Sequence, residues 1–331
     1  MSVQRTLSII SRAFDSSDYD RMVEISNANY PDYPVSVKEQ RTRDERVEKS
    51  NLLHKRSTFL DSQTGVIVGF GTIAQVVDML HPKKFMINLV VDPAYQGRGI
   101  GSTIYNTLSK QLADLGAIVI WTMNKEDLLR QTEFFEHRGF VGKNLAWESR
   151  LDLPTFDSSK FQHYVTRAAM EGVTFTTLAQ EEKDEAFLHQ LHQFVQLINE
   201  DMPREAPFTP LSYEQWRAFS YDSPRIVPEG YWIARKDSQL AGISVVLRNE
   251  KDPRGLSQDD TGIRRQYRGM GIATALKVKL IEWAKDNGYD NIKTWNDSNN
   301  APMLAVNTRL GFKRQVGWIL MQKDAEVRIA N

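Results

Sequence analysis

Two stretches of this chain, YQGRGIGS at 95–102 and YRGMGIAT at 267–274, match one another at a distance of 172 positions. Sliding the sequence by that distance lays Gly97 on Gly269, Gly99 on Gly271 and Gly116 on Gly288. It also lays Thr122 on Thr294, Asn124 on Asn296 and Gly139-Phe140 on Gly311-Phe312, without a gap. Upstream, SNANYPDYP (26–34) has a looser echo in INEDMPREAP (198–207). A repeat this long is one domain used twice rather than a short-period solenoid. The 331 residues are a natural length for two domains. The expected division is 1–150, a junction over 151–170, and 171–331.

Each copy reads as strand, strand, loop, helix, strand, helix, strand. In the first, VIVGFGTIAQ and KKFMINLVVD are rich in β-formers and join through His81-Pro82. A helix follows from about Gly101 to Leu115, with Ile104, Leu108, Leu112 and Leu115 on one face and Gly116 as its C-cap. AIVIWTM is a buried strand, LLRQTEFFEHR a helix stopped by Gly139, and NLAWESRLDL a last strand. The second copy gives YWIARK, AGISVVLRN and SQDDTGI as strands, and a helix from about Ile272 to Asn287. NIKTWND, the helix APMLAVNTR and the strand GWILMQKD complete it. DYDRMVEISNA and EAFLHQLHQFVQLINE are helices placed ahead of the strands. The fold class is therefore α/β, a mixed sheet flanked by helices in each half.

The glycines have a chemical reading. A helix start presents unpaired N–H groups and the positive end of its dipole, and glycines just before it let an anion reach those amides. The loop is thus expected to hold phosphate. It lacks the Gly-Lys-Ser/Thr ending of a Walker loop, and Ser102 and Thr274 stand where a dinucleotide fingerprint needs its third glycine.

Composition narrows the partners. Lys plus Arg and Asp plus Glu both number 42, which argues against a surface that coats nucleic acid. No apolar run approaches the roughly 20 residues that span a bilayer, and the N-terminus does not read as a signal peptide. Cysteine is absent, so there is no thiolate metal site and no cysteine acyl-enzyme. His189 and His192 stand i,i+3 on a helix and read as a solvent-facing pair; no metal site is expected. The expected setting is cytoplasmic.

Gln96-Gly97-Arg98-Gly99-Ile100-Gly101 and Arg268-Gly269-Met270-Gly271-Ile272-Ala273 resemble the Gln/Arg-x-x-Gly-x-Gly/Ala motif of the GNAT acetyltransferase superfamily. The strand before each motif, the helix after it and the Gly-Phe pair some forty residues on fit the same family. The chain is similar to its two-domain bacterial members. The resemblance implies two tandem GNAT-like domains, each with a mostly antiparallel sheet and a splayed central strand pair.

It further implies acetyl-CoA as cofactor. The two motifs, with Ser102 and Thr274, would cradle its pyrophosphate. Its pantetheine arm would run beside Leu89, Val90 and Val91, and beside Thr261, Gly262 and Ile263. Asn300 matches an asparagine that contacts the cofactor in relatives; the first copy has Leu128 there. Asp260, next to Asp259, is the expected catalytic carboxylate, whereas the first copy has Ile87 and Asn88. Many relatives place a tyrosine five residues before the phenylalanine of the Gly-Phe pair, to protonate the leaving thiolate. Here those positions are Phe135 and Asn307, and Asn307 can hydrogen-bond the sulfur but is no acid.

The implied activity is direct transfer of an acetyl group to the primary amine of a small molecule, with the chemistry in the C-terminal half. The alternative is a non-catalytic acyl-CoA-binding module, and the state is monomer or homodimer. NYPDYPVS and NEDMPREAPFTP would face the substrate. Glu200, Asp201 and Glu205 are acids there that can attract a cation. Tyr30, Tyr33, Trp216 and Trp232 are pocket or core residues.

Overall fold

The computed structural model describes residues 8–325. Up to residue 152 its strands are β1 (Ile9–Ala13), β2 (His54–Asp61), β3 (Ile67–Ala74), β4 (Lys84–Val91), β5 (Val119–Lys125) and β6 (Val141–Asp152). Helices α1 (Tyr19–Asn29), α2 (Val37–Lys49), α3 (Ile100–Asp114) and α4 (Leu129–Glu136) lie among them. Beyond come α5 (Gln162–Met170), β7 (Thr174–Thr177), α6 (Glu185–Glu200), the single turn α7 (Tyr213–Trp216), β8 (Trp232–Lys236), β9 (Gln239–Asn249) and β10 (Asp252–Ile263). The chain finishes with α8 (Ile272–Asp286), β11 (Asn291–Asp297), α9 (Ala301–Arg309), the short β12 (Lys313–Arg314) and β13 (Trp318–Asp324).

These elements form two compact units. The first holds residues up to Asn124, Leu129–Lys143 and the chain from Leu320 on; the second holds Lys125–Leu128 and Asn144–Ile319. The sequence puts the boundary at 150 because a repeat is counted in chain order. Packing groups the chain differently, since most of β6 is in the second unit and the end of β13 in the first. In the first unit, Trp121 Nε1 donates to Gln322 Oε1 at 3.0 Å, and Asn124 Nδ2 meets Met321 Sδ at 3.1 Å. In the second, β6 pairs antiparallel with β11 from Ala146 against Asp297 to Asp152 against Asn291.

Both sheets are mixed and mostly antiparallel, flanked by helices, as the sequence leads one to expect. The parallel pairing is brief in each. Only Lys84–Met86 of β4 pairs with Val119–Trp121 of β5, and only Gly255–Gln258 of β10 with Asn291–Thr294 of β11. Beyond those points β4 and β10 run on to Val91 and Ile263 paired on their other side alone, with β3 and β9. Each sheet therefore forks, and one strand edge is left open.

The helix beside each fork is fixed by its apolar face. In α3, Ile104, Leu108 and Leu112 are almost wholly buried. They come close to β3 because Gly71 has no side chain; a Cβ there would meet Ile104 at 2.9 Å and Leu108 at 3.0 Å. Helix α6 starts where Asp184 Oδ1 accepts the Phe187 N–H at 2.7 Å, and buries Phe187, Leu191, Phe194 and Ile198. Helix α2 escapes sequence reading because it buries no residue and has no apolar period. A Ser36–Glu39 capping box starts it instead.

A chain ending at residue 150 lacks the partners of Trp121 and Asn124 and leaves β5 an open edge. It is expected to aggregate or to lose the cooperative thermal transition of the full chain. A soluble fragment with a sharp melt in circular dichroism would contradict this division.

Candidate functional site

The glycine loops are alike in both units. Gly97 and Gly99 have φ of 76° and 80°, Gly269 and Gly271 of 79° and 81°, a left-handed conformation that costs any other residue strain. The first helical hydrogen bonds run from Thr103 N–H to Gly99 O at 3.1 Å and from Ala275 N–H to Gly271 O at 3.0 Å. The amides ahead of them, through Ser102 and Thr274, are the unpaired start of a helix. Added Cβ atoms at Gly97, Gly99 and Gly269 would meet nothing within 4 Å, so these backbones stand open to an anion. At Gly271 the ring of Tyr164, from α5, lies 3.2 Å from that position. The amides of Arg98, Ile100, Met270 and Ile272 belong to the same two cradles. Gly101 and Ala273 are already inside the helices; a Cβ at Gly101 would face Phe134 at 3.5 Å.

The leading residue of each motif braces the strand end. Gln96 Nε2 donates to Val91 O at 3.1 Å and to Asn29 Oδ1 at 3.0 Å. Arg268 Nε donates to Ile263 O at 3.1 Å, and its guanidinium also bonds Asp201. Asn29 and Asp201 are themselves 172 apart, so the brace repeats with a charge added in the second copy. Arg265 shares Asp201, and these arginines hold its carboxyl down to about 2. The expectation that Asp201 attracts a substrate cation is not met, because its charge is already taken.

Other expected site residues are placed as follows. Leu89, Val90 and Val91 lie on the open run of β4, Thr261, Gly262 and Ile263 on that of β10. Gly262 lets α6 close on the strand, since a Cβ would stand 2.7 Å from Ile198. Ser102 Oγ accepts from Arg138, and Thr274 is buried. Asn300 caps α9, its Oδ1 accepting the Met303 N–H at 3.3 Å. His192 Nε2 bonds Leu211 O at 2.8 Å and is half-buried, whereas His189 stacks on Tyr213 at 4.0 Å between ring centres and stays exposed.

The units differ at the fork. Strand β4 follows β3 in unbroken register, but β10 carries a bulge between Gln258 and Thr261. A bulge sets two residues against one and turns consecutive side chains to the same face. Here they are Asp259 and Asp260, which line a cleft with Val195, Trp216, Tyr221 and Tyr231. Asn199 Nδ2 donates to Asp260 Oδ2 at 3.1 Å. Asp259 is solvent-accessible on the cleft floor. Surrounding protein and the neighbouring Asp260 carboxylate raise it to about 7, with Arg225 opposing. The two carboxylates repel one another, so the pair as a whole takes up a proton more readily than a lone acid. Trp216 is both pocket and core, being 2% exposed.

Behind the fork, on the α8 side, lies a polar cluster. Asn307 is buried; its Oδ1 accepts from Lys277 Nζ at 2.7 Å and its Nδ2 donates to Asn296 Oδ1 at 2.6 Å. Lys277 escaped the sequence reading, since one lysine among the apolar residues of a helix looks like a solvated position. The signal was its place among Ala275, Leu276 and Val278, all buried.

A sheet that forks at a glycine-led helix, twice in one chain, defines a tandem α/β fold with two open helix starts. The chain belongs to the acetyltransferase (GNAT) family, whose model matches residues 19–140 and again 191–312, the same 172-residue displacement as the loops. Among solved structures it is similar over 96% of its length to a GCN5-related N-acetyltransferase from Sphaerobacter thermophilus, covering 95% of that chain (16% identity, TM-score 0.68). It is likewise similar to a tandem GNAT protein from the clavulanic acid biosynthesis pathway, over 96% of this chain and 99% of that one (17% identity, TM-score 0.71). At such identities the likeness is one of fold. Among curated relatives, N-acetyltransferase 8 of Mus musculus is 34% identical over 67 residues, which are 19% of this chain and 29% of the relative. N-acetyltransferase 8F1 of Rattus norvegicus is 26% identical over 87 residues, 25% of this chain and 39% of the relative. The matches thus span less than two-fifths of these relatives' length.

Asp201→Asn leaves two arginines unpaired and is expected to lower stability by about 1 kcal/mol at pH 7, the small value reflecting the exposed guanidiniums. Because the folded carboxyl titrates below its unfolded value, that deficit should shrink as pH falls from 4 towards 2. Denaturant melts of both proteins across that range read it.

Proposed function

We propose that the protein transfers an acetyl group from acetyl-CoA directly to the primary amine of a small molecule, and that the second unit carries out the reaction. The bulge that puts two carboxylates into one cleft beside the open strand edge supports this reading best. The first unit lacks both the bulge and the acids.

The residues present fit the carrier. The open amides around Gly269 and those leading α8 would take its diphosphate, and the free edge from Asp259 to Ile263 would take its arm by backbone hydrogen bonds. Acetyl-CoA, when bound, supplies an activated thioester. The protein's own groups do the rest. The acidic cleft draws in a protonated amine, and the walls of Trp216, Tyr221 and Tyr231 suit its apolar and cationic parts. Asp259, poised near neutrality, accepts the ammonium proton so that the nitrogen lone pair is free. Free backbone N–H groups on the open edge polarise the carbonyl. The loop of the first unit, with Gly97 and Gly99 unobstructed, is read as a second carrier site without a base.

Release of CoA in the presence of a panel of amines, polyamines and amino acids tests the reading. Tight binding with no release for any of them would favour the acyl-CoA-binding module instead. Asp259→Asn is expected to lower kcat at least about 100-fold and to remove a rise in rate through about pH 7. Asp260→Asn is expected to have the smaller effect. Since the surrounding protein and the Asp260 carboxylate raise the folded pKa of Asp259, its ionised form is a strain on the fold above that pH. Asp259→Asn should therefore raise the melting temperature at pH 8, with the gain shrinking towards pH 4. Replacing Gly271 by valine should abolish turnover, whereas Gly99→Val should reduce cofactor stoichiometry by calorimetry and spare turnover. The opposite result would move the chemistry to the first unit.

A further inference from the structure

Lys277 stands where the first copy has Tyr105, at the sixth position of the helix behind the glycine loop. The surroundings of the two positions differ in kind. Tyr105 packs edge-on against Phe134 and Phe140, with ring centres 6.2 and 6.3 Å away. Lys277 is 1% exposed and sits in a polar cluster. Its Nζ donates to Oε1 of Gln258 and, at 2.7 Å, to Oδ1 of Asn307. Gln258 in turn donates to Ser244 Oγ at 2.8 Å and Thr261 Oγ1 at 3.1 Å, and Asn307 to Asn296.

The groups facing this amine are uncharged on every element around it. Strand β10 offers Gln258, α9 offers Asn307, and the ring of Phe312 lies 5.0 Å from Nζ. Behind them stand Ser244 of β9, Thr261 of β10 and Asn296 of β11. A buried ammonium without a counter-charge is costly, and the loss of hydration brings Lys277 down to about 7. An ammonium has three N–H groups, and the two amide oxygens accept two of them, which leaves one to donate elsewhere. An apolar side chain of similar length would fill this space without the desolvation, so packing alone does not account for a lysine.

Its position gives it work. Gln258 is the last residue that β10 shares with β11, opposite Thr294, so the amine lies at the fork itself. A carrier anchored at the start of α8 and laid along Ile263 to Asp259 ends there. On the opposite side of the strand, Asp259 and Asp260 face their cleft.

We propose that Lys277, held by Gln258 and Asn307, is the proton donor to the sulfur that leaves during acyl transfer in the second unit. The inference rests on the acetyl-transfer reading above. The amine nitrogen forms a bond to the carbonyl carbon as the carbon–sulfur bond breaks with its electron pair. Asp259 passes the ammonium proton it took first to solvent and then receives the second proton, lost as the nitrogen becomes an amide, while the sulfur receives one from the Lys277 ammonium. Exchange with solvent then returns both side chains to their starting forms. Gln258 and Asn307 are positioning residues, since they fix Nζ and donate no proton.

The first readout needs no substrate. In lysine-labelled protein, the Nζ or Cε resonance of Lys277, assigned by its loss in Lys277→Met, should titrate with a midpoint near 7; a midpoint above about 9.5 overturns the proposal. The same assignment can be made with Lys277→Gln if the methionine variant does not fold. Linkage gives a second. Between pH 7 and 10 the unfolded lysine binds more protons than the folded one, so wild-type stability should rise relative to Lys277→Met over that window. Equal pH dependence of the two melts counts against it.

Turnover gives the third. In Lys277→Met, kcat should fall about 100-fold and the alkaline decline of the pH profile should vanish, with KM for acetyl-CoA little changed. Lys277→Arg keeps the charge but holds its proton and should be equally slow. Unchanged kcat in Lys277→Met, in a protein that otherwise turns over, overturns the donor role alone. A wild-type protein that releases CoA with no amine removes the acetyl-transfer reading first.

Discussion

The fork in each sheet is the constraint from which the rest follows. A parallel pair held by three or four residues and then released leaves backbone N–H and C=O groups without a neighbour, which a buried strand does not tolerate. The chain manages this by placing the open edge next to a helix start, whose own amides are also unpaired. Both deficits can be met by one elongated ligand with an anionic end. Forked sheet and glycine loop are therefore one device, and neither makes physical sense without the other.

Duplication let the two copies diverge around that device. The first packs Tyr105, Phe135 and Phe140 edge to face and keeps a regular strand register. The second introduces a bulge, two carboxylates on one side of the strand and a buried amine on the other. An acid raised towards neutrality and a base lowered towards it, on opposite faces of one strand, are a pairing suited to moving protons in both directions at one pH. Desolvation acts on both, but at Asp259 the neighbouring carboxylate adds to it, whereas at Lys277 it acts alone.

Much of the fold was legible because repetition doubled every weak signal. Glycines at 97 and 99 alone are a turn; the same pair at 269 and 271 before an identical helix is a motif. The long amphipathic helix α6 and the buried strand β5 announced themselves by period and composition. Helix α2 was silent because it buries nothing, and the edge strands β1 and β7 because they are short. At the site, the carboxylate pair was visible but not the bulge that brings both into one cleft, since a bulge is a matter of register and the sequence does not print register. Asp201 looked like a free acid until Arg265 and Arg268 came within reach from sixty residues away. Lys277 was hidden because its partners Gln258 and Asn307 come from two other elements.

The unit that contains the first residues of the fold also contains those from Leu320 on. During synthesis the N-terminal unit must therefore wait, with the edge of β5 uncovered, until the chain has been made past Leu320. The second unit, by contrast, has its β6 segment in hand before the rest of it has been made. Vectorial folding is inverted here: the part born first is finished last.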